Sequence, residues 1–540
     1  MVIKRKQKDY TFWTDKIADD IIHRKMFHYT EDKIPKFKKF VVKTSASISG
    51  VLHIGRLSDT IRGDAAFKSL DDAGVKAELI WVAEDMDPLR KVPEGVPKNY
   101  SEYIGMPVTD IPDPTGCHKS YAEHHVSEYF KVLDRFVSTK MEKFSMREDY
   151  RKGEFNKYIK IMLAHIEELK DIQNKYRRNE LSGTWSPWTP ICDNCGKIIT
   201  PKVIGFEKGK VSYKCEDYKF EKYVAVGCGH EGDNNPLKGN GKLLWKSEWA
   251  AQWARWDVCS EGAGKEYQVP GSAFWINGEI AEKILKFPMP VPIFYEHLTI
   301  NGEKMSASIG NVVYPNEWLN VAPPELLRLI FLKDPSRVRD FRWEFVPNMM
   351  DEMDELAKVY FDVKKLRNER DNKTMKRLFE IIQLGKPPSD YRPNISYNLF
   401  LEIAKILPEE NQLEFTINKL KELGHLKKVT NKTKNSIKER LEFAKNFNEN
   451  FVKVAKVEVR LNQEEKFIIH DMITIIKDED NADELQTKIF SLIKKHNSTP
   501  KEFFKMVYRI LLNSDTGPKL GHYIIDRGKD EVIKKLKDSI

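Results

Sequence analysis

Residues 40–83 constrain the fold more than any other stretch of the chain. Val41 and Val42, within KKFVVK, read as a buried strand. The run after it, Thr44-Ser45-Ala46-Ser47-Ile48-Ser49-Gly50, is almost entirely small residues. Leu52-His53-Ile54-Gly55 then leads into a helical pattern from Leu57 to about Ala73, with Gly74 as its stop. A second strand, Ala77 to Ala83, follows at once. Strand, crossover of a dozen or more residues and strand make a βαβ unit, hence a parallel sheet. Small residues in the turn let the backbone approach a phosphate, and a helix start supplies N–H groups and the positive end of a dipole. His53 stands where its ring can reach an oxygen held there.

The second strand runs out in Glu84-Asp85-Met86-Asp87. These carboxylates stand at the carboxyl end of a parallel strand, the edge where such sheets bind ligands, and could hold a cationic substrate. Residues 93–116 are rich in Pro and Gly and read as a long loop over the same edge. Trp13, Ile17, Ile21 and Ile22 mark an opening helix in residues 11–30, and residues 119–180 read as mostly helical. His124 and His125, being adjacent, fall on different sides of their helix, which argues against a metal shared between them.

The character changes at Trp185. Cys192-x-x-Cys195, Cys215 and Cys228-Gly-His230 crowd a β-branched, turn-rich stretch. Six cysteines, four of them clustered, suit a metal in a reducing compartment better than a disulfide framework. Zinc takes four such ligands in a tetrahedron. Cys192 and Cys195 form one pair, and the second comes from Cys215, Cys228 and His230, the two cysteines placed first and His230 the alternative. With no open position evident, the role expected of the zinc is structural. Cys117 and Cys259 stand apart.

Tryptophans at 245, 249, 253 and 256 recur at helical spacing. A buried stripe explains them, but Glu248 lies inside it and needs a partner. A carboxylate between aromatic walls is also a way to hold an ammonium group. Further on, Lys304-Met305-Ser306-Ala307-Ser308 offers a cation and two hydroxyls among small residues, suited to binding phosphate. From residue 319 the chain reads as helical and rich in lysine, for example Lys427, Lys428, Lys432 and Lys434. Most of these fit a solvated helix face, though such a module also suits docking of RNA by phosphate contacts. The overall balance, 90 basic against 81 acidic residues and a net charge of +9, permits a polyanionic partner without requiring one. A chain of 540 residues is too long for one core. It has no apolar leader and no apolar run of membrane-spanning length, so a soluble cytoplasmic protein that avoids membranes is expected.

SGVLHIG followed far downstream by KMSAS-IGN resembles the HIGH and KMSKS motif pair of class I aminoacyl-tRNA synthetases. TSASISGVLHIG, EDMDPLRKVP, the cysteine insert, LLWKSEWAAQWARW, GKEYQVPGS and the C-terminal GPKLGHYIIDRGKDEVIKKL narrow the resemblance to the class I lysyl-tRNA synthetases of archaea and some bacteria. The resemblance covers nearly the whole chain. It implies an α/β protein with a Rossmann-like parallel-sheet catalytic domain, a zinc-binding β-rich insertion and an all-α C-terminal anticodon-binding region. The expected layout is a first catalytic half with a helical insertion (1–184), the zinc insertion (185–240), a second half carrying the KMSKS-like loop (241–318), a helical domain touching the tRNA stem (319–390) and a helical anticodon-binding domain (391–540).

The implied activity is lysine activation by ATP with Mg²⁺, then transfer to tRNA(Lys), by a monomer. The resemblance makes His53, Lys304, Ser306 and Ser308 catalytic. It places ATP against Ser47, Gly50, His53, Ile54, Gly55, Lys304, Met305, Ser306 and Ser308, and lysine against Ser45, Asp85, Asp87, Trp245, Glu248 and Tyr267. Three positions depart from the family pattern: Arg56 ends the first motif, Ala307 replaces the second lysine of KMSKS, and Tyr267 stands where a histidine is usual. A class I relative charging another amino acid, a paralogue with only adenylate chemistry, and a zinc-bearing RNA-binding protein that has lost catalysis are the competing readings. The acidic, aromatic pocket argues for a cationic substrate, the full helical C-terminal region counts against a tRNA-free paralogue, and the retained His53 and Lys304 count against the last.

Overall fold

The structure, a computed structural model, describes residues 10–48, 50–92, 96–305, 311–391, 395–452 and 461–540. Ser306 and Ser308 lie outside the described residues. The chain divides into two compact units.

The first unit is built on five parallel strands. Their spatial order is Val291–Tyr295, Val258–Gly264, Phe40–Ser47 (β1), Ala77–Glu84 (β2) and Glu142–Ser145 (β3). β1 and β2 pair without a break from Phe40↔Ala77 to Ser47↔Glu84. Continuous burial from Val41 to Thr44 in β1, and along all of Val258–Gly264, is what a covered parallel strand requires. β2 and β3 extend the sheet to one side of β1, and Val258–Gly264 with Val291–Tyr295 extend it to the other. Connections therefore leave β1 and Val258–Gly264 in opposite directions, and a crevice opens at their carboxyl ends.

β3 departs from the helical reading of residues 119–180, which otherwise holds over the helices Tyr121–Leu133, Met146–Lys152, Asn156–Ala164 and Ile166–Asn174. Glu-Lys-Phe-Ser carries almost no strand signal of its own. Its conformation comes from pairing with β2, Ile80↔Glu142 to Ala83↔Ser145.

The crossover helix Ile54–Asp72 (α2; α1 is Trp13–His23) is buried nearly all round, including the polar Asp59, Arg62 and Asp64. Asp64 is matched by Arg328 of helix Pro324–Leu332. Arg328 is fully buried and donates to Asp64 Oδ2 at 2.6 Å and to the carbonyls of Phe136, Ile381 and Ile382 at 2.9, 2.7 and 2.8 Å. Lys68 of α2 takes the neighbouring carbonyls of Glu380 and Gln383. Two cations from other elements thus close the C-terminal end of helix Glu369–Ile382, whose carbonyls have no partner within the helix.

The cysteine-bearing insertion folds as an antiparallel sheet of Pro201–Glu207, Lys210–Cys215 and Glu231–Asn234. Its first hairpin turns on Lys208 and Gly209, both at positive φ (50° and 76°), which matches the right-handed twist of the strands. The second unit, comprising 319–322, 343–352 and 392–540, is helical from Tyr397 to Asp538 among the described residues. Its core gathers Ile469, Ile476, Leu485, Ile489, Val507 and Leu536. No described helix is long and apolar enough to cross a membrane.

Candidate active site

A cavity of about 310 Å³ opens at the carboxyl ends of β1 and Val258–Gly264, where the strand order reverses. It collects side chains from distant parts of the sequence: Ser45 and Ser47 from β1, His53 and Gly55 from the start of α2, Trp245 from the tryptophan helix, Tyr267, and Lys304 with Met305. Gly262 keeps the crevice open. A Cβ built on it would lie 2.0 Å from Asp59 Oδ1, so only glycine lets the strand pass this carboxylate.

His53 is the N-cap of α2. Its Nδ1 accepts the Gly55 N–H at 3.2 Å, which leaves the neutral ring's proton on Nε2. Burial, aided by Arg56, pulls its pKa down to about 4, which keeps the ring neutral near pH 7. The Ile54 N–H is taken by the Val313 carbonyl at 2.9 Å. Two of the helix-start N–H groups are therefore engaged within the protein. Gly50, at φ +151°, has the Tyr121 hydroxyl 3.6 Å from where a Cβ would stand, and neither Gly50 nor Ile54 lines the cavity.

The acidic residues sort differently from their order in the sequence. Asp85 lies outside the cavity lining, bound by the Ser145 hydroxyl and the Arg147 N–H. Glu248, fully buried, accepts the Tyr150 hydroxyl at 2.7 Å and pairs with Lys242 at 2.9 Å, also outside the lining. Asp87 joins the Ser47 hydroxyl (3.1 Å) to Lys242 (3.4 Å). The carboxylates that do line the cavity are Asp59, Glu84, Glu261 and Glu266.

Asp59 accepts the Ser45 N–H and the Tyr295 hydroxyl at 3.2 and 3.4 Å, with burial raising its pKa against Ser45, Lys43 and Arg62. Beneath it Arg62 stacks on Tyr295, 4.4 Å from the ring centre. Glu261 is saturated by Lys43 (2.6 Å) and by the indoles of Trp249 (3.0 Å) and Trp253 (2.6 Å). The tryptophan stripe is thus both core and wall. Trp245 stacks on Trp249 at 4.7 Å, and Tyr267 meets Trp249 edge-on at 5.2 Å.

Asp59 and Glu261 escaped the sequence reading. The clue for Glu261 was a charged residue in a strand of small and apolar ones. Asp59 had no local signal, because six residues from His53 is no particular helical spacing. Glu84 was visible as the first of the acidic run.

Two further clusters suit a metal. Cys192, Cys195, Cys215 and Cys228 place their sulfurs within 4.8 Å of one another, with Cys192–Cys228 at 3.6 Å and Cys195–Cys215 at 3.7 Å. This is the donor set expected for tetrahedral zinc, and His230 is outside it. The second cluster, Asp113, Cys117, His118 and His124, was not anticipated. Cys117 Sγ lies 2.9 Å from His118 Nδ1, 3.2 Å from His124 Nδ1 and 3.3 Å from Asp113 Oδ2. His125 turns away to Tyr121, so the two adjacent histidines do diverge, but His124 finds partners from the preceding loop.

Comparison with known proteins gives a match to the family model described as tRNA synthetases class I (K) over residues 11–384. The chain is 32% identical to a lysine--tRNA ligase of Methanocaldococcus jannaschii and 29% identical to one of Methanosphaera stadtmanae, each over 97% of this chain and 99% of the relative. Among solved structures, a glutamate tRNA ligase from Elizabethkingia meningosepticum aligns over 93% of this chain and 99% of its own, with a TM-score of 0.42 and 12% identity.

Proposed function

The chain belongs to the class I (K) tRNA synthetase family, and on that premise we propose that its cavity is the adenylation site of a lysine--tRNA ligase. The enzyme is an ATP-dependent aminoacyl-tRNA ligase. Lysine's carboxylate oxygen attacks the α-phosphate of ATP, the bond to the β-phosphate bridging oxygen breaks, and pyrophosphate leaves. A hydroxyl of the 3′-terminal adenosine of tRNA(Lys), initially the 2′-hydroxyl in this class, then attacks the lysyl carbonyl and AMP departs. The observation that carries this reading is that one cavity unites His53, Gly55, Lys304 and Met305 with Ser45, Ser47, Trp245 and Tyr267.

Displacement at phosphorus asks for positioning and for stabilisation of the departing charge rather than for a protein nucleophile. Neutral His53 supplies an N–H donor through Nε2, and Lys304 supplies a cation. Ser306 and Ser308 belong to the same motif and are assigned the same phosphate, with Mg²⁺ accompanying ATP. Trp245, Trp249 and Tyr267 wall the lysine, whose ammonium is drawn to the acidic floor. Asp85 and Glu248 are assigned to holding that floor in place, and Asp87 to orienting Ser47. The four cysteines would hold a structural zinc, and the Asp113–His124 cluster can hold a second ion. The tRNA stem is assigned to residues 319–390 and the anticodon to 391–540.

The test is aminoacylation of purified tRNA(Lys) with each amino acid in turn. Lysine esterification is expected, and esterification of another amino acid in its place would sink the assignment. His53→Ala and Lys304→Ala should each lower turnover more than lysine affinity; unchanged turnover in both would remove them from the phosphate site.

A further inference from the structure

Lys43 lies in the middle of β1, fully buried beneath the cavity, with its ammonium 2.6 Å from Glu261 and 3.6 Å from Glu84. One buried cation therefore faces two buried carboxylates, and it is close to only one of them. The four carboxylates that line the cavity also differ in their hydrogen bonds. Both oxygens of Glu261 are saturated, Oε1 by Lys43 and Oε2 by two indoles. Asp59 uses one oxygen on the Ser45 N–H and the other on the Tyr295 hydroxyl. Glu266 sits at the half-exposed rim, paired with His297.

Glu84 differs from all three. It is 6% exposed and its Oε2 is fixed by Gln252 Nε2 at 3.0 Å, while its Oε1 has no hydrogen-bond donor. A buried carboxylate oxygen in that state is unfavourable unless a donor arrives. The residue lines the cavity together with Trp245 and Trp249, whose apolar faces suit the methylene stem of an amine.

Resting on the lysine--tRNA ligase reading, we propose that Glu84 Oε1 accepts the ε-ammonium of the substrate lysine, and that Glu84 is the residue that distinguishes lysine from its uncharged isosteres. Lys43 acts through Glu84 as a positioning residue. It balances Glu261 and stops short of Glu84, so that one negative charge is kept for the substrate. Asp85 and Asp87, the neighbours in sequence, are already bound by Ser145, Arg147, Ser47 and Lys242. Burial raises the pKa of Glu84 against the opposing pull of Lys43 and Lys242, with Asp87 and Glu261 adding to the rise, which is the state an incoming cation would relieve.

The experiment compares lysine with norleucine, which keeps the α-amino group and the chain but lacks the ε-ammonium, in full-length wild type and Glu84→Gln. Both are assayed for aminoacylation of tRNA(Lys). The amide keeps the shape and removes the charge. Expected is a fall in kcat/KM for lysine of about 100-fold or more, with the value for norleucine changed by no more than about 3-fold and KM for ATP unaffected. A general folding defect would depress both amino acids together, and that result overturns the proposal. So does retention of the lysine preference in Glu84→Gln when Asp59→Asn abolishes it, which would assign the ammonium to Asp59. Failure of the wild type to charge lysine at all would instead overturn the ligase reading beneath it.

Discussion

Gly262→Ala tests whether the cavity depends on a close approach between Val258–Gly264 and α2. The added Cβ would stand 2.0 Å from Asp59 Oδ1 and 3.2 Å from both Asp59 Cγ and Tyr295 Cε1. A contact under 3 Å is not sustained, so either the carboxylate or the strand must retreat by about 1 Å. Asp59 is 8% exposed, held by the Ser45 N–H and Tyr295 and underlain by Arg62, so it cannot swing away freely. Overpacking of this kind costs about 1–3 kcal/mol in stability. A misplacement of about 1 Å at a reacting site costs on the order of 100-fold in rate. Steady-state aminoacylation should therefore show kcat/KM for lysine reduced about 100-fold while circular dichroism stays that of the wild type. Gly264→Ala is the control. The three atoms nearest its Cβ all belong to the carboxylate of Glu266, at 2.7 to 3.1 Å on a half-exposed side chain that can move, so a change of no more than about 3-fold is expected. Equal effects from the two substitutions, or near-wild-type kinetics in Gly262→Ala, would refute the reasoning.

Arg328→Met should strand the buried Asp64 carboxylate and free three carbonyls, costing about 3–5 kcal/mol. Hydrogen exchange in α2 and in Glu369–Ile382 should rise accordingly, and unchanged protection would contradict the role given to this hub. Metal analysis of Cys192→Ser with Cys195→Ser should show loss of about one zinc equivalent; wild-type zinc content would rule out the four-sulfur site. Cys117→Ser with His124→Ala probes the second cluster in the same way. His53 should titrate at about pH 4 by imidazole nitrogen shifts, with the proton on Nε2 at neutral pH. Because the unfolded chain takes up this proton near pH 6.5, the contribution of His53 to stability is complete above that value and is lost as pH falls towards 4. A midpoint near 6.5 in the folded protein would show that the ring is solvated.

The βαβ unit, the tryptophan helix and the four cysteines were legible in the sequence because each is specified by local chemistry. A buried parallel strand must be continuously apolar or small, a crossover helix needs its cap and its stop, and paired cysteines on tight turns advertise a metal. Lys304 and His53 were legible as motif residues. Local chemistry does not say which of several adjacent carboxylates faces a ligand. Glu84, Asp85 and Asp87 look alike in a row, yet β2 aims the first at the cavity floor while Ser145, Arg147 and Lys242 occupy the others. Glu248 is held by Tyr150, 98 positions away, and by Lys242 of the strand just before its helix, and neither partner can be read from the acidic residue alone.

What the sequence by itself determined is the class of fold, which follows from periodicity, turn chemistry and short-range spacing, and the family, which follows from the resemblance of its motif blocks to the class I lysyl-tRNA synthetases. What only the tertiary structure decided is the electrostatic balance of the site. Lys43 meets Glu261 across 218 positions of the chain, and Asp59 reaches Gly262 from another element altogether. A buried charge is set by its neighbours in space, and in a sheet whose strand order reverses, those neighbours come from elements far apart in the chain.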